Sequence, residues 1–238
     1  MQFFYHNNLN NNNFILSPEE SRHCAKALRK SAGSHIFVTD GQGTLVKGEL
    51  LTVSSEACTV QTLERTENWG LRNGYLHLGV APTKNPARVE WLVEKCVEIG
   101  IEQISFVQCA HSERSRLDLN RMERLAVSAL KQSNTTWLPK MEIIDFQKFI
   151  TNYDDPEADK LIAWCDEQND TQLADYTLKN RKIILLIGPE GDFSEEEIAQ
   201  CRQHHYTEIK LGNRRLRTET AALYGCIGIA EKLLAQSF

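Results

Sequence analysis

The sequence lacks the features that mark membrane, secreted and metal-binding proteins. None of its stretches approaches the roughly 20 consecutive apolar residues that a bilayer-spanning helix needs. Its first residues, MQFFYHNNLN, lack a basic segment followed by an apolar one. Its 7 cysteines are an odd number without a C-x-x-C pair, which indicates neither a disulfide framework nor a zinc site. We therefore expect a cytoplasmic protein without a metal, whose cysteines are buried free thiols.

Common catalytic and nucleotide-binding motifs are absent as well. The sequence contains neither G-x-x-x-x-G-K-[ST] nor G-x-G-x-x-G, which disfavours a nucleoside triphosphate or a dinucleotide as the ligand. It also lacks H-E-x-x-H and G-x-S-x-G, so metallohydrolase and serine hydrolase mechanisms have no support. The net charge of -5 argues against coating of the whole molecule with nucleic acid, although a local basic face is compatible with such a partner.

A change of pattern near residue 70 divides the chain. Before it, short apolar runs and glycine turns, with one helix from Ser17-Pro18 to about Lys30, indicate a small antiparallel barrel or sandwich. After it, strand-length runs alternate with helical patterns, which indicates an α/β domain with a parallel sheet. We predict a first domain of residues 1–70 and a second domain of residues 71–238.

The second domain begins with a strand predicted over Tyr75 to Val80, and the helix that follows has marked ends. Asn85-Pro86 supplies an N-cap and a proline at the first helical position, and Gly100 supplies the stop. The positions that we expect to face inward are Val89, Leu92, Val93, Cys96 and Val97.

Two loops rich in turn-forming residues stand out near the end of the chain. The first, Gly188 to Asp192, follows the apolar run Ile183 to Ile187. Ser194 and Glu197 after it have the spacing of a capping box, which predicts a helix running from about Ser194 toward His205.

The second loop, Gly212 to Arg217, repeats this plan. It follows a strand predicted over residues 207–211, and Thr218 is a plausible N-cap of a last helix. The residues of that helix that we expect to be buried are Leu223, Ile227, Ala230 and Leu234.

Ligands of parallel sheets bind outside the carboxyl ends of the strands, where these two loops are expected to meet. Each loop by itself is explained by turn chemistry alone. Together they concentrate charged side chains at a glycine-bearing site that suits a cationic or nucleoside ligand, with arginines facing an anion. These side chains belong to Glu190, Arg214, Arg215, Arg217 and Glu219.

These loops carry a resemblance to a known family. IGPEGDFSEEEI and LGNRRLRTETAA resemble the two signature segments of the RsmE family, the 16S ribosomal RNA uridine-N3 methyltransferases of the SPOUT superfamily. The likeness extends along nearly the whole chain through RHCAKALRK, WLVEKCVEIGI and SERSRLDLNRMERLAVSALKQS.

The resemblance implies a fold, a cofactor and partners. The fold is a small PUA-like RNA-binding β-barrel followed by a SPOUT-type parallel sheet with a deep trefoil knot, and the protein is expected to be a homodimer. The substrate is 16S ribosomal RNA within the small ribosomal subunit, and S-adenosylmethionine is the methyl donor. The implied cofactor-binding residues are Leu186, Ile187, Gly188, Glu190, Gly191, Leu211, Gly212, Leu216 and Arg217.

Two positions depart from the family pattern. Asp192 stands where a second glycine is usual, which matters because a non-glycine residue with positive φ is uncommon, although aspartate tolerates it better than most residues. Arg215 stands where an aliphatic residue is usual and makes the loop more basic.

The reaction requires loss of the proton on uridine N3 before or during transfer. We predict that Arg217 stabilises the imide anion and that Glu219 accepts the proton, with Glu190 as an alternative acceptor. Two alternative interpretations are possible. Glu219 has only a structural role at the start of the last helix, where a carboxylate interacts favourably with the helix dipole. Alternatively, alignment of the reactants makes a base dispensable.

Basic residues in both domains are predicted to contact RNA phosphates, so that affinity falls steeply with salt. They are Arg22, Lys26, Arg29, Arg114, Arg116, Arg121, Arg124 and Lys131. Two alternative functions are a SPOUT methyltransferase acting on another RNA atom and a non-catalytic RNA-binding factor in ribosome assembly.

Overall fold

The computed structural model describes residues 2–113, 117–164 and 169–235. The chain forms two compact units. The first contains the described residues up to Leu71 together with Val127–Leu138, and the second contains Arg72–Ala126 and the part from Pro139 onward. Residues 127–138 thus group with the first unit, whereas the sequence pattern offered no reason to separate them from the second domain.

The first unit is built on a mixed five-stranded sheet in the order β1-β3-β4-β5-β2. The strands are β1 (Phe3–Tyr5), β2 (Asn13–Ile15), β3 (His35–Thr39), β4 (Leu45–Thr52) and β5 (Thr59–Thr66). The predicted antiparallel pairing holds except between β1 and β3, which are parallel. A parallel pair needs a long crossover connection, and the intervening β2 and first helix provide it.

The first helix begins as predicted but changes its geometry early. Helix α1 (Pro18–Arg22) is capped by the Ser17 hydroxyl, which accepts from the Glu20 amide. It continues as a π-helix, His23–Ala27, so the helical segment ends three residues before Lys30. π-helical turns inside helices occur frequently at functional sites.

The second unit contains a six-stranded sheet whose strands are all parallel, which confirms the α/β prediction. Its order is β11-β9-β10-β6-β7-β8. The strands are β6 (Tyr75–Val80), β7 (Gln103–Gln108), β8 (Lys140–Asp145), β9 (Ala158–Ala163), β10 (Lys182–Ile187) and β11 (Thr207–Ile209). The helices are α2 (Pro86–Ile99), α3 (Leu119–Ser133), α4 (Phe146–Asn152), α5 (Glu195–Gln203) and α6 (Thr218–Ala235).

Helix α2 has the ends and the buried face that the sequence predicts. The Asn85 side chain accepts from the Ala87 amide, and Gly100 closes the helix in the left-handed conformation. All five predicted inward positions are buried. Cysteines throughout the described ranges are free and buried, as expected. No helix in those ranges is both long and apolar enough to cross a bilayer.

The predicted buried face of α6 is wrong at two positions: Ile227 is 39% exposed and Leu234 is 77% exposed. The helix instead buries the face that carries Ala222, Gly225, Cys226, Ile229 and Leu233. Small residues decide this orientation, because a Cβ at Gly225 would lie only 2.7 Å from Leu185 of β10. The helix is apolar nearly all round, so residue size rather than periodicity selects the packed side.

Candidate active site

The candidate site lies at the carboxyl edge of the parallel sheet. Four segments leave the strands there: residues 81–85 after β6, 109–113 after β7, 188–194 after β10 and 210–217 after β11. This is the edge at which open α/β sheets bind ligands.

The first loop contains a tight turn. The Asp192 amide donates to the Pro189 carbonyl over 3.0 Å, and Asp192 itself has a positive φ of 61°. Its carboxylate accepts from the Phe193 amide at 2.9 Å. Asp192 therefore adopts a left-handed backbone conformation, which aspartate tolerates better than most residues other than glycine.

Helix α5 ties this loop to the segment after β7. The predicted capping box of Ser194 and Glu197 is confirmed, with both of its hydrogen bonds present. The second carboxylate oxygen of Glu197 accepts from the Ala110 amide at 2.8 Å. Close by, His111 Nδ1 donates to the Asp192 carbonyl over 3.0 Å. The loops after β7 and β10 are thus held together by two independent polar contacts.

The second loop contacts the first, as the parallel topology predicts. The Arg215 guanidinium donates to the Glu190 carbonyl at 3.1 Å, and the Thr218 hydroxyl donates to the Gly188 carbonyl, also at 3.1 Å. Thr218 is therefore not the N-cap that the sequence predicted. It is the first residue of α6 and uses its hydroxyl to join the two loops.

Glu219 is the most enclosed charged group of the predicted catalytic set. It is 7% exposed, and its Oε1 lies 3.5 Å from Nε of Arg88. Its Oε2 is buried and has no hydrogen-bond partner among the described residues. The other two members of the set, Glu190 and Arg217, are exposed.

Arg88 did not stand out in the sequence. It lies in the first turn of α2, directly after the segment that leaves β6. Its place at the start of a helix that follows a strand could have drawn attention to it, because such helices begin at the carboxyl edge of a parallel sheet.

The predicted cofactor-binding residues differ in solvent exposure. Leu186, Ile187 and Gly188 are buried, Leu211 and Leu216 are half-buried, and Glu190, Gly191, Gly212 and Arg217 are exposed. Gly212 has a φ of 102°, and a Cβ there would meet nothing within 4 Å. A cavity of about 350 Å³ is lined by Leu211 and Gly212, with Leu173 and Tyr224 among its other walls.

The predicted RNA contacts fall into four groups. Arg22, Lys26 and Lys131 line a cavity of about 1040 Å³ in the first unit, which also includes Lys30. We call this cavity the basic groove. Arg29 and Arg124 are exposed, and Arg121 pairs with Glu90 at 2.7 Å. Arg114 and Arg116 lie outside the described residues.

Two family models match the chain. One, described as an RNA methyltransferase domain, matches residues 72–229, which is more than half of the chain. The other, described as an RNA methyltransferase PUA domain, matches residues 16–63.

Known proteins resemble the chain over nearly its full length. A solved structure from Porphyromonas gingivalis, described as a probable rRNA-methyltransferase, is 33% identical with a TM-score of 0.90, and the match covers 99% of each chain. Ribosomal RNA small subunit methyltransferase E from Neisseria gonorrhoeae, bound to S-adenosyl methionine, is 24% identical with a TM-score of 0.85, and the match covers 97% of each chain. At this identity it shows the fold alone.

A curated relative from Bacillus subtilis, ribosomal RNA small subunit methyltransferase E, is 25% identical over 91% of this chain and 89% of its own length. These matches confirm the family resemblance that the two glycine-bearing loops indicated. The chain belongs to the RNA methyltransferase family.

Proposed function

We propose that the protein transfers a methyl group from S-adenosylmethionine to N3 of a specific uridine in 16S ribosomal RNA, within the small ribosomal subunit and hence in the cytoplasm. The observation that carries the proposal is the junction of the two glycine-bearing loops, through Thr218 to Gly188 and Arg215 to Glu190. The names of the relatives support the substrate, and the resemblance supports the atom.

The two loops have the chemistry that the cofactor needs. Half-buried leucines offer apolar surface for an adenine ring, and the open space at Gly212 lets a ligand approach the backbone closely. S-adenosylmethionine supplies an electrophilic methyl group on a positively charged sulfur. The residues that hold it are Leu186, Ile187, Gly188, Glu190, Gly191, Leu211, Gly212, Leu216 and Arg217.

Three charged side chains serve the proton transfer. Glu219 accepts the proton of uridine N3 on its unpartnered Oε2, and the nitrogen keeps the electron pair that forms the new bond to carbon. Arg217 stabilises the negative charge of the deprotonated imide. Glu190 is the alternative acceptor, because it lies in the first loop and is exposed. Alignment of the reactants contributes much of the remaining acceleration.

The first unit binds the RNA. Its sheet and the match to the PUA-domain model support a PUA-like barrel with a boundary near residue 70. The basic groove with Arg22, Lys26 and Lys131 takes the phosphate backbone, and Arg29 adds a basic side chain in the same unit. Arg121 and Arg124 are proposed contacts of the second unit. Since each neutralised phosphate releases counterions, we expect affinity for small-subunit RNA to fall steeply with salt, and a flat response contradicts this assignment.

The carboxyl-terminal part of the second unit forms a deep trefoil knot of the SPOUT type. Strand β11 pairs with β9 on the far side from β10, and α6 then returns to pack on β10 and β6. Residues 171–175 lie against this return, since Lys232 of α6 donates to the Ala174 carbonyl at 2.8 Å. Such a crossing is rare among folds, and the family resemblance is what leads us to propose it.

The enzyme acts as a homodimer through α6. Tyr224, Ile227 and Leu234 are exposed to 53%, 39% and 77% and lie on one face of the helix, because they are three and seven residues apart. Contiguous exposed apolar surface on a protein marks an interaction site. A second copy of the chain covers this face.

The proposal is tested by incubating the protein with tritiated S-adenosylmethionine and small ribosomal subunits that lack the modification, followed by nucleoside analysis of the RNA. Label in 3-methyluridine at one site is the expected result. Label in another nucleoside shows a methyltransferase acting on a different RNA atom. Cofactor binding without label refutes the substrate, and absence of cofactor binding leaves a non-catalytic RNA-binding factor.

A further inference from the structure

Arg88 and Glu219 form an ion pair between the first turns of two helices. Arg88 belongs to α2 and Glu219 to α6, and 3.5 Å separates Nε of the arginine from Oε1 of the glutamate. The arginine side chain is 35% exposed, whereas the glutamate side chain is 10% exposed. The pair therefore reaches from the surface of the carboxyl edge into its interior.

The position of Arg88 is electrostatically unfavourable for the helix that carries it. The N-terminus of a helix carries a partial positive charge, so a cation in the first turn of α2 is repelled. Glu219 in the first turn of α6 is favoured by the same effect. The ion pair with Glu219 compensates for the unfavourable position of Arg88.

The ion pair involves only one of the two carboxylate oxygens of Glu219. Oε2 of Glu219 is buried and accepts no hydrogen bond from the described residues. A buried acceptor without a donor destabilises the protein, because it has lost its hydrogen bonds to water without replacement. Thr218, the preceding residue, already joins the two loops of the candidate site through Gly188. The unpartnered Oε2 thus belongs to the residue next to the loop junction. A hydrogen-bond donor on a ligand that reaches Oε2 forms the hydrogen bond that this oxygen lacks within the described residues.

We propose that Arg88 is a positioning residue for methyl transfer, which holds Glu219 through Oε1 and so keeps Oε2 free to accept the proton of uridine N3. This inference rests on the proposed function. In the step, the N3–H bond breaks, its proton passes to Oε2, and its electron pair remains on N3 to bond the methyl carbon. The bond between that carbon and the donor sulfur breaks, with its electron pair left on sulfur.

The test compares Arg88→Met, Arg88→Lys, Glu219→Gln and the double variant Arg88→Met/Glu219→Gln with the wild-type protein. Lys95→Met is the matched control, because Lys95 lies on the same helix and pairs with Glu94 at 2.9 Å and Glu98 at 2.8 Å. Each variant is measured for single-turnover methylation of small subunits across pH, for S-adenosylhomocysteine binding by calorimetry, for RNA affinity across salt and for thermal unfolding.

We expect Glu219→Gln to slow transfer at least about 100-fold, as for loss of a general base, and Arg88→Met to slow it about 10-fold or more. Arg88→Lys retains the charge and should recover part of that loss. The double variant should be no slower than Glu219→Gln. Binding of S-adenosylhomocysteine and of RNA stays within about twofold throughout.

Other outcomes overturn the inference in distinguishable ways. If Arg88→Met weakens RNA binding and reduces its salt dependence while transfer at saturating RNA is unchanged, Arg88 is a phosphate contact. If Glu219→Gln is fully active, Glu219 is not the acceptor. If Arg88→Met loses thermal stability and cofactor binding together, the pair is structural. A wild-type protein that binds the cofactor but methylates no small subunit refutes the proposed function, and the role of Arg88 with it.

Discussion

The stability of the second unit should fall on mild acidification because of one buried histidine. His77 of β6 is fully buried, and its Nε2 lies 2.7 Å from the Ser105 hydroxyl. That hydroxyl donates to Glu142 at 2.6 Å, so it must accept from the histidine ring. His77 therefore carries its proton on Nε2, and its Nδ1 has no partner among the described residues.

The unpartnered Nδ1 makes protonation expensive. Burial, assisted by the charge of Lys182, lowers the pKa of His77 from its ordinary 6.5 to about 3. Between these values the unfolded chain binds a proton that the folded protein does not, so stability rises with pH in this window. The contribution is fully present above 6.5 and is lost as the pH falls toward 3. From pH 7 to pH 5 the loss is about 2 kcal/mol at 1.36 kcal/mol for each pH unit.

Urea unfolding of the wild-type protein and of His77→Gln at both pH values measures this contribution. The wild-type protein should lose about 2 kcal/mol more than His77→Gln between pH 7 and pH 5, because carboxylates contribute equally to both. His205→Asn is the control, since His205 is exposed in the same unit and asparagine tolerates its φ of 61°. Equal losses in all three proteins refute the reasoning.

Three further outcomes follow from the loops and from α6. Thr218→Val removes the hydrogen bond to Gly188 and should weaken S-adenosylhomocysteine binding about fivefold, or roughly 1 kcal/mol, by calorimetry; unchanged affinity shows that the junction does not order the site. Gly212→Ala, at a φ of 102°, should cost about 1–2 kcal/mol in thermal unfolding, and a stable variant contradicts the strained conformation. Wild-type protein should be a dimer in light scattering and Ile227→Glu a monomer, whereas a dimeric variant contradicts the proposed interface on α6.

Elements with local signals could be predicted from the sequence. Helix α2 has an asparagine cap, a proline in its first turn and a terminal glycine, and all of these lie within or next to the helix. The capping box of Ser194 and Glu197 is equally local. The parallel sheet followed from the alternation of strands and helices. Strand β8 and helix α4 were missed, because Lys140–Asp145 is mostly exposed or half-exposed and has weak apolar alternation.

The packed face of α6 depends on residues far away in sequence. Leu223, Ile227 and Leu234 have the spacing of a buried stripe, yet Gly225 faces the sheet because Leu185 occupies the space that a side chain would need. The energetic preference is for close approach of the helix to β10, which allows the surrounding apolar atoms to pack densely. Periodicity cannot reveal this preference in a helix with apolar residues on both faces.

The buried hydrogen-bond network around His77 was also beyond sequence reasoning. Its members come from three strands and one helix end: His77, Ser105, Gln103, Glu142 and Tyr153. Within its strand, His77 is flanked by apolar residues and gives no periodic signal. Parallel pairing of β6 with β7 and of β7 with β8 brings the members together, so the network exists only once strand order and register are fixed.

The rule that parallel sheets bind ligands at the carboxyl ends of their strands predicted only part of the candidate site. It brought together two loops separated by about twenty residues, since both follow strands of one parallel sheet. It did not bring Arg88 into the set, although the same rule applies to α2. Arg88 became a candidate only through its ion pair with Glu219, which is 131 positions away in the sequence. That pairing requires α2 and α6 to pack against each other. The sequence predicted Glu219 as a proton acceptor, but the pairing of its Oε1 with Arg88 and the unpartnered state of its Oε2 among the described residues follow only from the fold.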